Sequence, residues 1–305
     1  MAAALPAGIT IGDPAGIGPE VTIKALARVR PGRARLIGSR QVIEREARKL
    51  GFELSAGTVI DDTGPVGRFT PGRAQRCCGA AALAALERGA GLLKRGEIGA
   101  LVTAPVSKTA LRLAGFRWPG QTEFLAERLG AKRTAMLAWT RRFKAVFVTI
   151  HQPLAGVGRA ITAAAVAEKA SLLDEFLRRE QVRRPRIGVM AFNPHGGEFS
   201  RGEEARIAAG VRLARRRGLA VAGPFPADAL AASPGGYEGF VAMYHDQAMI
   251  PAKLLGPGVN VTLGLGAVRT APLHGTAFDI AGRGRADPAS MTLAIRLARR
   301  FSRLS

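Results

Sequence analysis

The stretch RIGVMAFNPHGGEFSRGEEARIAAGVRLARRRGLAVAG, residues 186–223, decides the fold class. Residues 186–192 form an apolar run that reads as a strand. Asn193-Pro194-His195-Gly196-Gly197-Glu198 breaks it, residues 203–217 carry a helical pattern, and 219–223 return to strand. Strand, helix and strand in quick succession are the unit of an α/β protein with a largely parallel sheet. The same alternation runs outward. Upstream, 7–11 and 98–103 read as strands and 78–93, 107–114 and 162–179 as helices. A helix over 19–29 has Pro19 in its first turn and Pro31-Gly32 as its stop. Residues 134–140 and 144–150 read as a pair of strands; downstream, 239–244 and 259–263 are strands and 288–300 the last helix.

A chain of 305 residues holds about two domains. No flexible linker divides it, so the domains are expected to be intertwined. The breaks fall around Trp118-Pro119-Gly120-Gln121 and Gly256-Pro257-Gly258, giving 1–120 plus 257–305 and 121–256. No uncharged apolar stretch is long enough for a membrane helix. The N-terminus has neither a basic region nor a long apolar run, so no signal peptide is expected and the cytoplasm is the default. Cys77 and Cys78 are adjacent, which suits neither a structural disulfide nor a metal pair.

The net charge of +22 raises nucleic acid or an anionic membrane as partners. The basic runs, such as Arg215-Arg216-Arg217, fall on helix ends and turns, with no aromatic interleaving and no nucleic-acid-binding signature. Solvated faces and anionic substrates account for the charge better; a basic nucleic-acid-binding protein stays a distant alternative.

The chain has 4 histidines. His151, His195 and His245 each follow a strand, and His245 opens Tyr244-His245-Asp246-Gln247. The carboxyl ends of parallel strands share one rim, where ligands bind. One histidine there is most often a hydrogen bonder. Three in so histidine-poor a chain point to a catalytic metal site with an open position. Such a set suits Zn2+, Co2+ or Ni2+, and with carboxylate and substrate oxygens admits Mg2+. Asp246 and Asp228 are supporting or additional ligands.

Two glycine-rich loops suit close backbone approach to a ligand. Gly12-Asp13-Pro14-Ala15-Gly16-Ile17-Gly18-Pro19-Glu20 ends at a helix N-terminus, an anion site, yet is neither a Rossmann fingerprint nor a P-loop. His274-Gly275-Thr276-Ala277 opens the other. Lys253, Asn260 and Arg269 lie close in sequence to His245 and supply donors for a phosphate or carboxylate.

With Thr103-Ala104-Pro105-Val106-Ser107-Lys108, Gly120-Gln121-Thr122-Glu123-Phe124, Met243-Tyr244-His245-Asp246-Gln247 and Gly258-Val259-Asn260-Val261-Thr262, these motifs occur in an order that resembles the 4-hydroxythreonine-4-phosphate dehydrogenase family of pyridoxal-phosphate biosynthesis. The wider likeness is to the isocitrate and isopropylmalate dehydrogenases. The resemblance implies two α/β/α domains with a cleft, and a homodimer with the active site at its interface. It places the cofactor-side loops in the discontinuous domain, and the metal ligands and dimer contacts in the other. It implies NAD(P)+ with a divalent metal (Zn2+, Mg2+ or Co2+) on His151, His195 and His245. Substrate contacts fall on Gln121, Thr122, Lys253, Asn260 and Arg269. Cofactor contacts fall on Gly12, Asp13, His274, Gly275, Thr276, Ala277 and Asp287. Lys253 is a proton relay or phosphate contact, and Asp246 a ligand-orienting group or base.

The implied reaction is oxidation of 4-phosphohydroxy-L-threonine to 2-amino-3-oxo-4-phosphooxybutanoate, then decarboxylation to 3-amino-2-oxopropyl phosphate. One departure bears on it. The family commonly has histidine where this chain has Gln121. Glutamine keeps donor and acceptor capacity but carries no proton at neutral pH. Dehydrogenation of 4-phospho-threonate or 4-phospho-erythronate is therefore the alternative.

Overall fold

The computed structural model describes residues 5–29 and 34–302; the expected helix stop at Pro31-Gly32 and the first residues of the N-terminal stretch lie outside them. In chain order the elements begin with β1 (Ala7–Thr10), α1 (Gly18–Arg28), β2 (Ala34–Gly38), α2 (Arg40–Lys49), β3 (Thr58–Asp62), α3 (Arg76–Lys94), β4 (Ala100–Thr103), α4 (Lys108–Leu113) and α5 (Gln121–Leu129). Next come β5 (Ala135–Trp139), β6 (Lys144–Phe147), α6 (Leu154–Ala160), α7 (Ala163–Arg179), β7 (Arg186–Met190), α8 (Glu203–Arg216) and β8 (Ala220–Phe225). The chain ends with α9 (Ala227–Ala232), β9 (Gly239–Ala242), α10 (His245–Leu254), β10 (Val259–Leu263), β11 (Val268–Pro272) and α11 (Ala289–Phe301). No helix among the described residues is long and apolar enough to cross a membrane.

The chain divides into two compact units, Met1–Lys132 with Leu265–Ser305, and Arg133–Gly264. The boundaries thus fall later than the expected 120/121 and 256/257. α5 packs on α3 of the first unit, where Phe124 and Leu125 join Leu86, Leu101, Leu111 and Phe116 in one buried cluster. β10 pairs antiparallel with β5, Val261 opposite Leu137, and so belongs to the second unit.

In the first unit the strands run in the order β3-β2-β1-β4-β11, all parallel. β1 and β4 are buried on both faces, as their uninterrupted apolar runs require. Ser107 caps α4, its Oγ accepting the Ala110 N–H at 3.1 Å.

In the second unit the order is β10-β5-β6-β9-β7-β8. β6, β9, β7 and β8 are parallel, while β5 runs antiparallel to both its neighbours. Thr162 caps α7 by accepting the Ala165 N–H at 3.1 Å. Phe143 and Phe240 stack at 4.9 Å in the core.

Candidate active site

In the first unit the loops after β1, β4 and β11 leave the carboxyl ends of adjacent parallel strands, the rim where α/β sheets bind ligands. Gly12, at φ +74°, lets the backbone turn here; a Cβ would collide with the Pro105 carbonyl. The Asp13 N–H can therefore donate to that carbonyl at 2.9 Å. The Asp13 carboxylate, wholly buried, braces its own loop by accepting the Ala15 N–H at 2.9 Å. Burial raises its pKa, against the backbone N–H groups of Ala15 and Ser107. The Ile17 N–H donates to the Thr276 carbonyl at 3.0 Å and ties this loop to the one opened by His274.

His274 donates from Nδ1 to the Gly275 carbonyl at 3.1 Å. That bond fixes the tautomer and leaves Nε2 as an acceptor, buried and without a hydrogen-bond partner. Burial lowers its pKa, opposed by the Gly275 bond and by Asp287. Ala277 holds φ 41°, left-handed backbone that an L side chain rarely adopts. Asp287 is exposed and accepts the Ala289 N–H at 3.0 Å at the start of α11.

Arg269 is the most deeply placed of the expected substrate contacts, 3 % exposed on β11. Its Nε and Nη2 donate to Thr103 Oγ1 at 3.1 and 2.6 Å. Nη2 also donates to Gln121 Oε1 at 3.3 Å, at the start of α5. Burial pulls the guanidinium pKa down to about 10, with Glu123 opposing. A buried cation held by hydroxyl and amide oxygens suits an anionic ligand. The carbonyl of Gln121 faces the cation, so its amide group is oriented rather than free to flip. Thr122 follows, partly buried.

In the second unit β6, β9 and β7 are adjacent and parallel, and His151, His245 and His195 follow their carboxyl ends. β6 stops at Phe147, but the extended path continues, with Val148 and Thr149 donating to the Ala242 and Met243 carbonyls at 2.8 and 3.1 Å. The rings of His151 and His245 come within 5.9 Å. His245 is the first residue of α10 rather than part of a loop. Its Nδ1 meets Asp246 Oδ1 at 2.7 Å, a pairing that assigns metal ligation to the other ring nitrogen, Nε2. The expected convergence of three imidazoles is not reached within the chain: no group of three His, Cys, Asp or Glu suited to a metal exists among the described residues. His195 lies beyond β9 on the β7 loop. Asp228 is exposed in the first turn of α9. Lys253 is exposed in the last turn of α10. Asn260 on β10 has a buried Oδ1 without a hydrogen-bond partner.

Three residues that shape the site were not singled out from sequence. Thr103 anchors Arg269 as above. Gln247 accepts the Met243 N–H at 2.7 Å and donates to the Ala191 carbonyl at 2.6 Å, joining the ends of β9 and β7. Glu204 gathers the loop leading to His195. Thr103 and Gln247 stand inside motifs that drew attention for their neighbours; Glu204 carried no signal beyond its place in the first turn of a helix.

Comparison with known proteins agrees with this layout. The sequence model of the pyridoxal phosphate biosynthetic protein PdxA family matches residues 18–298. A 4-hydroxythreonine-4-phosphate dehydrogenase from Xanthobacter autotrophicus is 38% identical, covering 99% of this chain and 95% of its own. The crystal structure of a 4-hydroxythreonine-4-phosphate dehydrogenase from Klebsiella pneumoniae superposes with a TM-score of 0.84 at 36% identity, over 98% of each chain. A terephthalate 1,2-cis-dihydrodiol dehydrogenase from Burkholderia xenovorans superposes with a TM-score of 0.68 at 32% identity, again over 98% of each chain. On the family match and the full-length identity together, the chain belongs to the pyridoxal phosphate biosynthetic protein PdxA family.

Proposed function

We propose that this chain oxidises 4-phosphohydroxy-L-threonine with NAD(P)+ to 2-amino-3-oxo-4-phosphooxybutanoate, which decarboxylates to 3-amino-2-oxopropyl phosphate on the route to pyridoxal phosphate. The observation that carries the reading is the buried Arg269 guanidinium beside Gln121, in a chain 38% identical to a relative bearing that enzyme's name. Arg269 binds an anionic end of the substrate. Gln121 and Thr122 hydrogen-bond beside Arg269. The buried Oδ1 of Asn260 accepts from a substrate N–H or O–H.

His151, His195 and His245 would hold the divalent metal, and His245, its Nδ1 engaged by Asp246 and its ring beside that of His151, fits that task. A bound divalent ion supplies Lewis acidity that favours ionisation of the substrate hydroxyl. The Gly12–Asp13 loop, His274 to Ala277 and Asp287 would hold the nicotinamide cofactor, and the unpartnered Nε2 of His274 fits an amino donor of its base. Bound NAD(P)+ would supply the acceptor for the hydride, two electrons and a proton in one transfer. The hydroxyl proton leaves at the same stage. Asp246 is engaged with His245, which leaves Lys253 Nζ as the proton relay. The resulting β-keto acid loses carbon dioxide, and the carbon left behind takes up a proton.

The active enzyme is a homodimer in the cytoplasm, with the metal site completed by the second copy. Support comes from a pattern in the second unit. Leu154, Phe199, Ile250, Leu254 and Leu255 are exposed large apolar residues, and each follows one of the three histidines by ten positions or fewer. Exposed apolar side chains that trail the histidines in sequence are what an association face there would use.

The alternative, 4-phospho-threonate or 4-phospho-erythronate as substrate, rests on Gln121 alone. Following NAD(P)H absorbance with all three substrates decides. Turnover dominated by 4-phosphohydroxy-L-threonine supports the first reading. Dominance of either phosphorylated acid installs the second, and turnover of none by folded, metal-loaded protein overturns both.

A further inference from the structure

The geometry points to Glu204 as a positioning residue that holds the His195 loop in its ligating conformation, an inference that rests on the reading of His195 as a metal ligand. His195 has φ 55°, in left-handed backbone. A side-chain-bearing residue stays there only when its surroundings impose it. Glu204 supplies that constraint. It is buried in the first turn of α8, 6 % exposed. Its Oε1 accepts the Phe192 N–H at 3.1 Å, the Asn193 N–H at 2.8 Å and the Asn193 side-chain amide at 3.2 Å. Its Oε2 accepts the same amide at 3.0 Å. All of these donors belong to the two residues that lead into Pro194-His195.

The far end of the loop is closed from the same helix turn. Ser200 Oγ accepts the N–H groups of Gly202 and Glu204 at 3.1 and 3.3 Å. Glu203 Oε2 accepts the Arg201 N–H at 2.8 Å. One turn further on, Arg206 donates to the carbonyls of Gly158 and Ile161 at 2.8 and 3.0 Å, on the segment that follows His151. The start of α8 thus fixes the loop carrying one histidine and the arm trailing another. A carboxylate with both oxygens turned to N–H donors does this more firmly than an amide, whose own NH2 would face the Asn193 NH2.

A peg that only stabilises the fold would act equally with His195 absent, so a double-mutant cycle separates the two roles. Co2+ is titrated into the metal-free chain and its visible absorption followed, for wild type, Glu204→Gln, His195→Ala and the double variant. The expected result is about tenfold weaker Co2+ binding in Glu204→Gln, and less than about twofold further weakening when that change is added to His195→Ala. Wild-type affinity in Glu204→Gln overturns the inference, as does an equal loss in both backgrounds. If His195→Ala itself binds Co2+ like wild type, His195 is not a ligand; the functional reading of the metal set fails and the inference falls with it. Melting curves of the metal-free proteins check folding, and Glu204→Asp runs the same cycle if Glu204→Gln does not fold.

Discussion

The two units present their candidate groups in opposite ways. In the first, two charged groups are sunk into the sheet rim: Arg269 and Asp13 are buried, Thr103 and Gln121 fix the guanidinium, and three loops are cross-linked through backbone bonds. In the second, most of the candidate groups are exposed. His151, His195 and Lys253 lie at the surface, and no three ligands meet among the described residues. The buried guanidinium is fixed by Thr103 and Gln121 within its own unit. On the proposed reading, the exposed groups are the ones that a second copy would complete, while the buried ones are organised in advance.

The comparison breaks most readily at the histidines. His245→Ala is expected to lower kcat by about 10³-fold while cofactor affinity, measured by fluorescence, stays within about twofold; a parallel loss of cofactor binding would mean that the shares are not separable. Next in size, Arg269→Met should raise KM about 10²-fold with Co2+ affinity unchanged. Arg269→Lys should recover only part of the loss, because lysine lacks the planar fork that reaches Thr103 and Gln121 together. Asp246→Asn is smaller, about tenfold in metal affinity, and should be invisible in substrate binding to metal-free protein.

The smallest effect concerns His274. Burial holds its folded pKa below the ordinary value of about 6.5. Between those two values the unfolded chain binds the extra proton and the folded chain does not. Stability therefore falls as pH drops through that window and levels off below the folded pKa. Denaturant unfolding at pH 7.5 and 5.5 should show wild type losing more than His274→Asn; equal losses would place the imidazole in solvent.

The sequence made the buried strands and the loop motifs legible because both follow simple rules. β1, β4 and β7 are short apolar runs, and the Gly12 loop announces its tight turn by composition. β11 escaped notice because Arg269 and Pro272 interrupt its apolar pattern, although all five of its residues are buried. α10 escaped because Pro251 lies inside it, a residue that ordinarily ends a helix. The domain edges were misplaced because α5 and β10 are assigned by packing on α3 and pairing with β5, which no local signal carries. At the site, residue types at strand ends located the histidines and Arg269. The braces Thr103, Gln247 and Glu204 were missed because their role is set by hydrogen bonds to distant backbone.

The most direct test of a site split between copies is subunit complementation. His195→Ala and His245→Ala proteins, each inactive, are unfolded together and refolded as a mixture. If His195 of one copy serves with His245 of the other, mixed dimers contain one intact metal set. The account predicts that the mixture regains a substantial part of wild-type activity, up to about a quarter for random pairing with one working site in each mixed dimer. A mixture as inactive as its parents, with mixed dimers confirmed by mass, would show that both histidines serve within one chain and would contradict the account.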